Sequence, residues 1–349
     1  MSAARGSSLP AACDAHCHLH DERFRQQLPS DDASDSRSNA ATRLELVMKR
    51  AAAANVTHVV ACACHEQDWA TLERLLVVQQ AACRDCPDDD EEQMPAMTRP
   101  LILPAFGLHP WWASEHDNSM LVALRQYLER YPTASSGCAV NVMVVCGLRQ
   151  LGEIGLCKSA RGRQTPLGVQ EEAMRAQLSL AAELGRTCVI HCVGYYGKLL
   201  ELLAEQRSRL PPRIVLHSYS GSPEMLSVFL TLSQPPTTEV FVSLNARQLA
   251  DTRSNKAATC CATVPISALL LETDAPDQPP TLEAVQSAST QFDIDVVDAL
   301  RVGDTLLAAG LNEPLLVQLA VQRAAQIRAM NVHELAETVY TNSQRAFGF

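Results

Sequence analysis

No window of the chain offers the ~18 or more consecutive apolar residues of a membrane-spanning helix, so no membrane role is expected. The stretch Met1 to Cys13 lacks the apolar core of a secretory signal, which points to a soluble intracellular protein, in the cytoplasm or the nucleus. No G-x-G-x-x-G and no P-loop occurs, and this removes the phosphate-cradling signatures of doubly wound nucleotide-binding sheets. There is no internal repeat, and no polar linker long enough to divide the chain. Paired C-x-x-C motifs are missing too. Cys83-x-x-Cys86 stands alone at the edge of an acidic segment, without the second pair that a structural zinc site needs.

A positive balance is also absent: the net charge is -10. A uniform field of that sign would repel nucleic acid. Six of the acids, however, crowd into one segment: Asp85, Asp88, Asp89, Asp90, Glu91 and Glu92. Setting them aside removes more than half of the excess, and the segment reads as a solvated loop. The 13 cysteines are an odd number in a chain far larger than a disulfide-stapled miniprotein. Cys62, Cys64, Cys146 and Cys188 lie in apolar runs, as buried free thiols of a reducing compartment do.

What is present is an alternation. Apolar runs of strand length, Ala11–His16, Thr57–Cys64, Leu101–Leu108, Ala139–Leu156, Thr187–His191, Arg213–His217, Glu239–Leu244 and Ser267–Glu272, are separated by loops and helical patterns. Helices are predicted over Arg43–Asn55, Asp68–Cys83, Met120–Tyr131, Gln170–Gly185, Lys198–Arg209, Pro223–Leu232, Val296–Ala309, Pro314–Met330 and, as a short closing element, His333–Tyr340. Asp21–Ala40 reads as a polar loop. Eight strands, each followed by a helix or helix-like segment, in 349 residues is the arithmetic of an α/β (β/α)8 TIM barrel. One domain is expected from residue 10 to 349, with residues 85–100 as an inserted acidic loop and residues 1–9 as a tail.

In such a barrel the chemistry sits at the C-terminal ends of the strands. In Asp14-Ala15-His16-Cys17-His18-Leu19, strand alternation puts His16 and His18 on one face and Cys17 on the other. The third strand leads to His109, the fourth holds Gly152-Glu153-Ile154-Gly155, the fifth ends in His191, and the sixth in His217. The eighth ends in Glu272-Thr273-Asp274. Polar groups gathered at the top of an apolar barrel are costly without partners, and a metal centre supplies one. His16, His18, Glu153, His191, His217 and Asp274 exceed the three protein ligands of an open zinc site, so two ions fit better. A carboxylate such as Glu153 can bridge two cations, and Asp274 can orient or deprotonate a water. Imidazole with carboxylate suits zinc or manganese; magnesium would use the carboxylates and water.

The ordered set D-A-H-C-H-L, G-L-H-P-W, G-E-I-G-L, V-I-H, H-S-Y-S-G-S and E-T-D-A-P, from residue 14 to 276, resembles the TatD-like metal-dependent deoxyribonucleases, a branch of the amidohydrolase-type barrels. Asn312-Glu313-Pro314 and the run Asn342 to Gly348 resemble the closing helices of that family. The resemblance implies a two-metal hydrolase that cuts DNA phosphodiesters, often from an end. The six residues above would be the ligands, Glu153 and Asp274 would serve the chemistry, and His109 would lie near substrate. It also implies two divalent ions (magnesium, manganese or zinc), a DNA substrate and no obligate protein partner.

Three places depart from the family pattern. Cys157 stands where an aspartate usually follows G-E-I-G-L, and a thiol there would tune metal choice towards zinc or make activity sensitive to oxidants. After His191 the run Cys192-Val193-Gly194-Tyr195-Tyr196 has no basic residue. Leu244-Asn245 lacks the usual glycine. Lys158, Arg161 and Arg163 directly follow the fourth strand and are expected to contact substrate phosphates. Trp111 and Tyr219, next to His109 and His217, are expected to stack on bases. Two other readings stay open: an amidohydrolase or deacylase acting on a C–N or ester bond through the same centre, and a barrel that has lost catalysis and serves as a scaffold.

Overall fold

The structure is a computed structural model. It describes residues 9–26, 42–84, 99–130, 149–234, 237–251, 253–289, 307 and 309–349. Eight parallel strands run in the order β1 to β8: Ala12–Cys17, Val56–Cys62, Leu101–Phe106, Gln150–Cys157, Cys188–Val193, Arg213–Leu216, Glu239–Asn245 and Leu269–Glu272. Beyond β8 the sheet meets β1 again, through Asp274 N–H to His16 O (2.9 Å) and His18 N–H to Ala275 O (2.7 Å). This is the expected (β/α)8 barrel, with every strand pointing its C-terminal end to one face.

Apolar residues sort into two layers. A large cluster lies between strands and helices, built on side chains such as Val59, Phe106, Ile190 and Leu271. A smaller one gathers residues from seven strands, among them Cys13, Val60, Leu103, Val189, Val215, Phe241 and Leu270, and is joined by Ala346 and Phe347. The last helix therefore seals the N-terminal end of the barrel. Gln150 Nε2–H donates to Phe347 O at 2.9 Å, and Thr187 Oγ1–H to Ala346 O at 2.6 Å. That helix is longer than the sequence suggested. It runs unbroken from Val332 to Phe347, because Leu335, Val339, Ser343 and Ala346 keep a buried helical stripe until Gly348 ends it in the left-handed conformation (φ 75°).

Other boundaries moved for identifiable reasons. Asp21 caps a helical turn, Glu22–Arg25, inside the expected loop, and that turn buries Phe24. Short helices at Ala246–Ala250, Lys256–Thr263 and Leu282–Ser289 were not anticipated; they are too short for a helical period to stand out. His109 caps a 3-10 turn over Pro110–Glu115. The expected helix Val296–Ala309, residues 85–98 of the acidic loop, most of the tail and residues 139–148 of the expected fourth strand lie outside the described residues. Among the described residues no helix is long and apolar enough to cross a membrane. Cys13, Cys17, Cys62, Cys64, Cys157, Cys188, Cys192, Cys260 and Cys261 are free thiols, most of them buried.

Candidate metal centre

The G-E-I-G run shows how local sequence places a functional side chain. Gly155 pairs with His191 across β4 and β5. Its φ is 146°, and a Cβ there would lie 1.9 Å from the His191 carbonyl oxygen. Only glycine allows this approach. The same close packing brings Glu153, buried at the centre of the barrel mouth, against the imidazole of His191.

Glu153 is divided between two sets of donors. Its Oε2 faces His16 Nε2 at 3.5 Å and His18 Nε2 at 3.7 Å. Asp274 Oδ1 joins this side, 3.7 Å from His16 Nε2 and 3.3 Å from His18 Nε2. The two Nε2 atoms are 3.4 Å apart, as strand alternation predicts. The other oxygen, Oε1, faces His191 Nδ1 at 2.8 Å, His217 Nε2 at 3.0 Å and His109 Nε2 at 3.5 Å. All seven side chains named from strand ends therefore converge.

The hydrogen bonds behind the imidazoles set which nitrogen faces inward. His18 Nδ1–H donates to the Cys62 carbonyl at 2.8 Å. His217 Nδ1–H donates to Glu272 Oε1 at 3.3 Å. With Nδ1 committed in both rings, Nε2 is the nitrogen aimed at an oxygen of Glu153. Ring nitrogens facing a carboxylate in a buried site need positive charge between them, a ring proton or a cation. Imidazole and carboxylate donors, fixed from behind in this way, fit divalent cations.

Charge compensation is visible in the acid–base behaviour. Burial pushes the Glu153 carboxyl up, but His217, His109, His16 and His191 outweigh it and hold it well below the usual carboxylate range. Burial disfavours the imidazolium of His217, yet Glu153 and Glu272 raise its pKa well above the ordinary value. His191 is also opposed by burial, and Cys157 and Glu153 lift it to about 9. His109 has less compensation, and burial drives it well below the ordinary value.

Residues that sequence reasoning missed complete the site. Glu272 accepts from His217, from Ser218 Oγ–H (2.6 Å) and from the Ser243 hydroxyl, and its own pKa falls to about 2: burial opposes this and the His217 charge prevails. Its signal was an acid inside a strand-end run, Glu272-Thr273-Asp274, where only Asp274 drew attention. Asp14 accepts from Thr273 N–H (2.9 Å) and Thr273 Oγ1–H (2.5 Å), and so ties the start of β1 to the loop that carries Asp274. Asn312 donates to the Thr273 carbonyl at 2.7 Å and braces the same loop.

The residues expected to meet substrate divide. Lys158, Arg161 and Arg163 are exposed on the loop after β4, at the mouth. Arg161 lies over the ring of Trp111 (4.3 Å) and over that of Trp112 (4.7 Å); Lys158 lies over Tyr195 (5.5 Å). Trp111 is half-buried, its ring edge-on to His109 and its Nε1–H directed at Cys157 Sγ, 3.3 Å away. The Cys157 thiol also donates to Ser159 Oγ at 3.1 Å; burial pushes it up, but His191 and Ser159 bring it down to about 7. Tyr219 corrects an expectation. It is 2% exposed, its hydroxyl donates to Ser222 O at 2.9 Å and its ring packs on Tyr196 and Phe229. The turn after β6 folds it into the core, so it offers no stacking face to a base.

With this geometry in view, a family model described as TatD related DNase matches residues 13–348. The chain is 34% identical over 126 residues to a protein of Edwardsiella piscicida named 3'-5' ssDNA/RNA exonuclease TatD; the match covers 36% of this chain and 45% of that one. It is 25% identical over 264 residues to the 3'-5' ssDNA/RNA exonuclease TatD of Yersinia pseudotuberculosis, covering 74% of this chain and 85% of that one. The crystal structure of YjjV, a TatD homolog from Escherichia coli K12, superposes with a TM-score of 0.64 at 23% identity over 97% of this chain and 98% of that one.

Proposed function

Because the chain belongs to the TatD related DNase family, we propose that it is a two-metal hydrolase that cleaves DNA phosphodiester bonds from a strand end. The observation that carries this reading is the division of Glu153 between two donor sets, one on each carboxylate oxygen. His16, His18 and Asp274 would hold one ion and His191 and His217 the other, with Glu153 shared between them. Divalent ions there (magnesium, manganese or zinc) would polarise a phosphoryl oxygen and make water a better nucleophile. The imidazole-rich set favours zinc or manganese.

The chain's own groups supply the rest. Glu272 and the Cys62 carbonyl keep His217 and His18 turned inward. Asp274 takes a proton from the attacking water, whose oxygen bonds to phosphorus as the P–O bond opposite it breaks and the departing oxygen takes up a proton from solvent. His109 bounds the substrate side of Glu153. Lys158, Arg161 and Arg163 hold neighbouring phosphates on the loop after β4, and Trp111 holds Arg161 in place. Relatives named as ssDNA/RNA exonucleases support end-directed cutting of single strands and bring RNA in as a second substrate.

The test is metal analysis of the purified protein, together with cleavage of end-labelled single-stranded DNA with and without chelator. Stoichiometric metal and chelator-sensitive shortening from one end are expected. A protein that binds no metal, or one loaded with metal that cuts nothing, would remove the proposal.

A further inference from the structure

Beside the centre lies a donor cluster that the proposed reaction does not use. We infer that His20 and Cys64, walled on a third side by His18, form an additional zinc site at the edge of the barrel mouth. Each of the three offers a donor atom within 4.8 Å of the other two. His20 follows β1 and Cys64 follows β2, so the pairing of these strands brings together residues 44 positions apart.

The imidazole of His20 carries the argument. It is 7% exposed. Its Nε2 faces Asp68 Oδ2 at 3.3 Å, and a carboxylate only accepts, so Nε2 is the donor there and Nδ1 is the nitrogen left over. That Nδ1 is buried without a hydrogen-bond partner. A buried ring nitrogen with no partner is costly, and a cation bound to the neutral ring supplies one. A histidine whose other nitrogen is held by a carboxylate is also the usual arrangement of a metal ligand. Asp68 is itself fixed, accepting from Cys64 N–H at 3.3 Å.

Cys64 sets the choice of ion. Its sulfur lies 3.6 Å from His18 Nδ1 and 3.7 Å from Glu153 Oε2, and the residue is partly exposed, so an ion can enter from solvent. Thiolate with imidazole selects zinc over magnesium or calcium. Binding releases the thiol proton to solvent. His18 Nδ1 already donates to the Cys62 carbonyl, so His18 bounds the site while His20 and Cys64 ligate and water completes the shell. With two protein ligands the site is weaker than the main centre and fills after it.

Zinc content after equilibration in a zinc buffer tests this on the full chain. Wild type is expected to hold one zinc more than either Cys64→Ser or His20→Ala, with all three metal-free proteins melting alike. Loading with cobalt(II) gives an independent reading, because only a thiolate ligand produces a sulfur-to-cobalt charge-transfer band in the near ultraviolet. The band is expected in wild type and in Cys157→Ser, and absent in Cys64→Ser. Equal zinc contents in all three proteins, or a band that survives Cys64→Ser and vanishes in Cys157→Ser, would overturn the inference. The comparison is a difference, so a failure of the two-ion reading would lower every total equally and leave it intact.

Discussion

His58, buried, and His191, half-buried, sit at opposite ends of one barrel, and they behave in opposite ways. His58, near the N-terminal end, stacks on Phe349 at 4.0 Å and meets only the hydroxyls of Thr57 (2.9 Å) and Tyr340 (3.1 Å) at Nδ1. Burial alone lowers its pKa to about 4. His191, at the C-terminal end, meets burial too, but Cys157 and the Glu153 carboxylate raise it to about 9. Burial discharges an imidazole and a carboxylate restores its charge. The barrel places the buried carboxylates Glu153, Glu272 and Asp274 at one end, against imidazoles, and closes the other with the backbone of Ala346 and Phe347. The asymmetry between an end that gathers carboxylates around histidines and an end closed by a helix is what marks the mouth as the site.

The most severe way to break this asymmetry is to remove the carboxylate at its centre. Glu153→Ala is expected to reduce DNA cleavage by at least about 10³-fold, on the order of 4 kcal/mol of barrel-mouth chemistry. Metal analysis of the variant should show the bound ions lost or reduced. Unchanged turnover would assign the cleavage to a contaminating nuclease.

Much of that end was legible in the sequence because strand ends are short-range features. An apolar run followed by a histidine or acid can be read without knowing what lies across the barrel, and His16, His18, His109, Glu153, His191, His217 and Asp274 were all found this way. What could not be read depends on contacts between distant strands. Glu272 acquires its role only because the turn after β6 and strand β7 bring Ser218 and Ser243 to it. Asp14 reaches Thr273 across 259 residues, at the seam where the sheet closes. Tyr219 looked like part of the mouth because it sits two residues after His217, yet its side chain follows the turn into the apolar layer under Phe229. The pairing of His20 with Cys64 is equally invisible, since neither residue belongs to a recognisable spacing.

At the opposite end, His58→Phe tests whether burial acts there without compensation. The folded pKa of about 4 lies below the ~6.5 of an unfolded histidine. Neutral His58 therefore contributes fully above pH ~6.5, and that contribution falls as pH drops towards 4, by a total on the order of 3 kcal/mol. In denaturant melts of the metal-free protein, the stability of wild type relative to His58→Phe should fall by about 2 kcal/mol between pH 7 and pH 5. A pH-independent difference would mean that His58 is charge-compensated after all, and the contrast between the two ends would fail.

A milder change at the mouth separates the ligands from their supports. Glu272→Gln keeps the shape of the side chain but weakens the acceptor that orients His217. Metal affinity or activity is expected to fall by about 10–100-fold, the usual cost of removing a carboxylate behind a ligating histidine. Chelator competition measures the affinity directly. If the loss matches that of Glu153→Ala, Glu272 does more than orient, and its place among the supports is wrong.

The smallest effect concerns the rim. Arg161 lies exposed over Trp111 and Trp112, and Arg163 is exposed nearby. If both hold phosphates of a single strand, replacing each by alanine should make the plot of log affinity against log salt shallower by ~0.7. Arg345, paired with Glu239 at 3.1 Å near the N-terminal end, provides the control. Its replacement by alanine should leave the slope untouched, because an end sealed by protein has no strand to bind. An unchanged slope in the Arg161 and Arg163 variants would return that loop to ordinary solvated surface. A change in the Arg345 variant would show that nucleic acid reaches the end of the barrel that the closing helix seals.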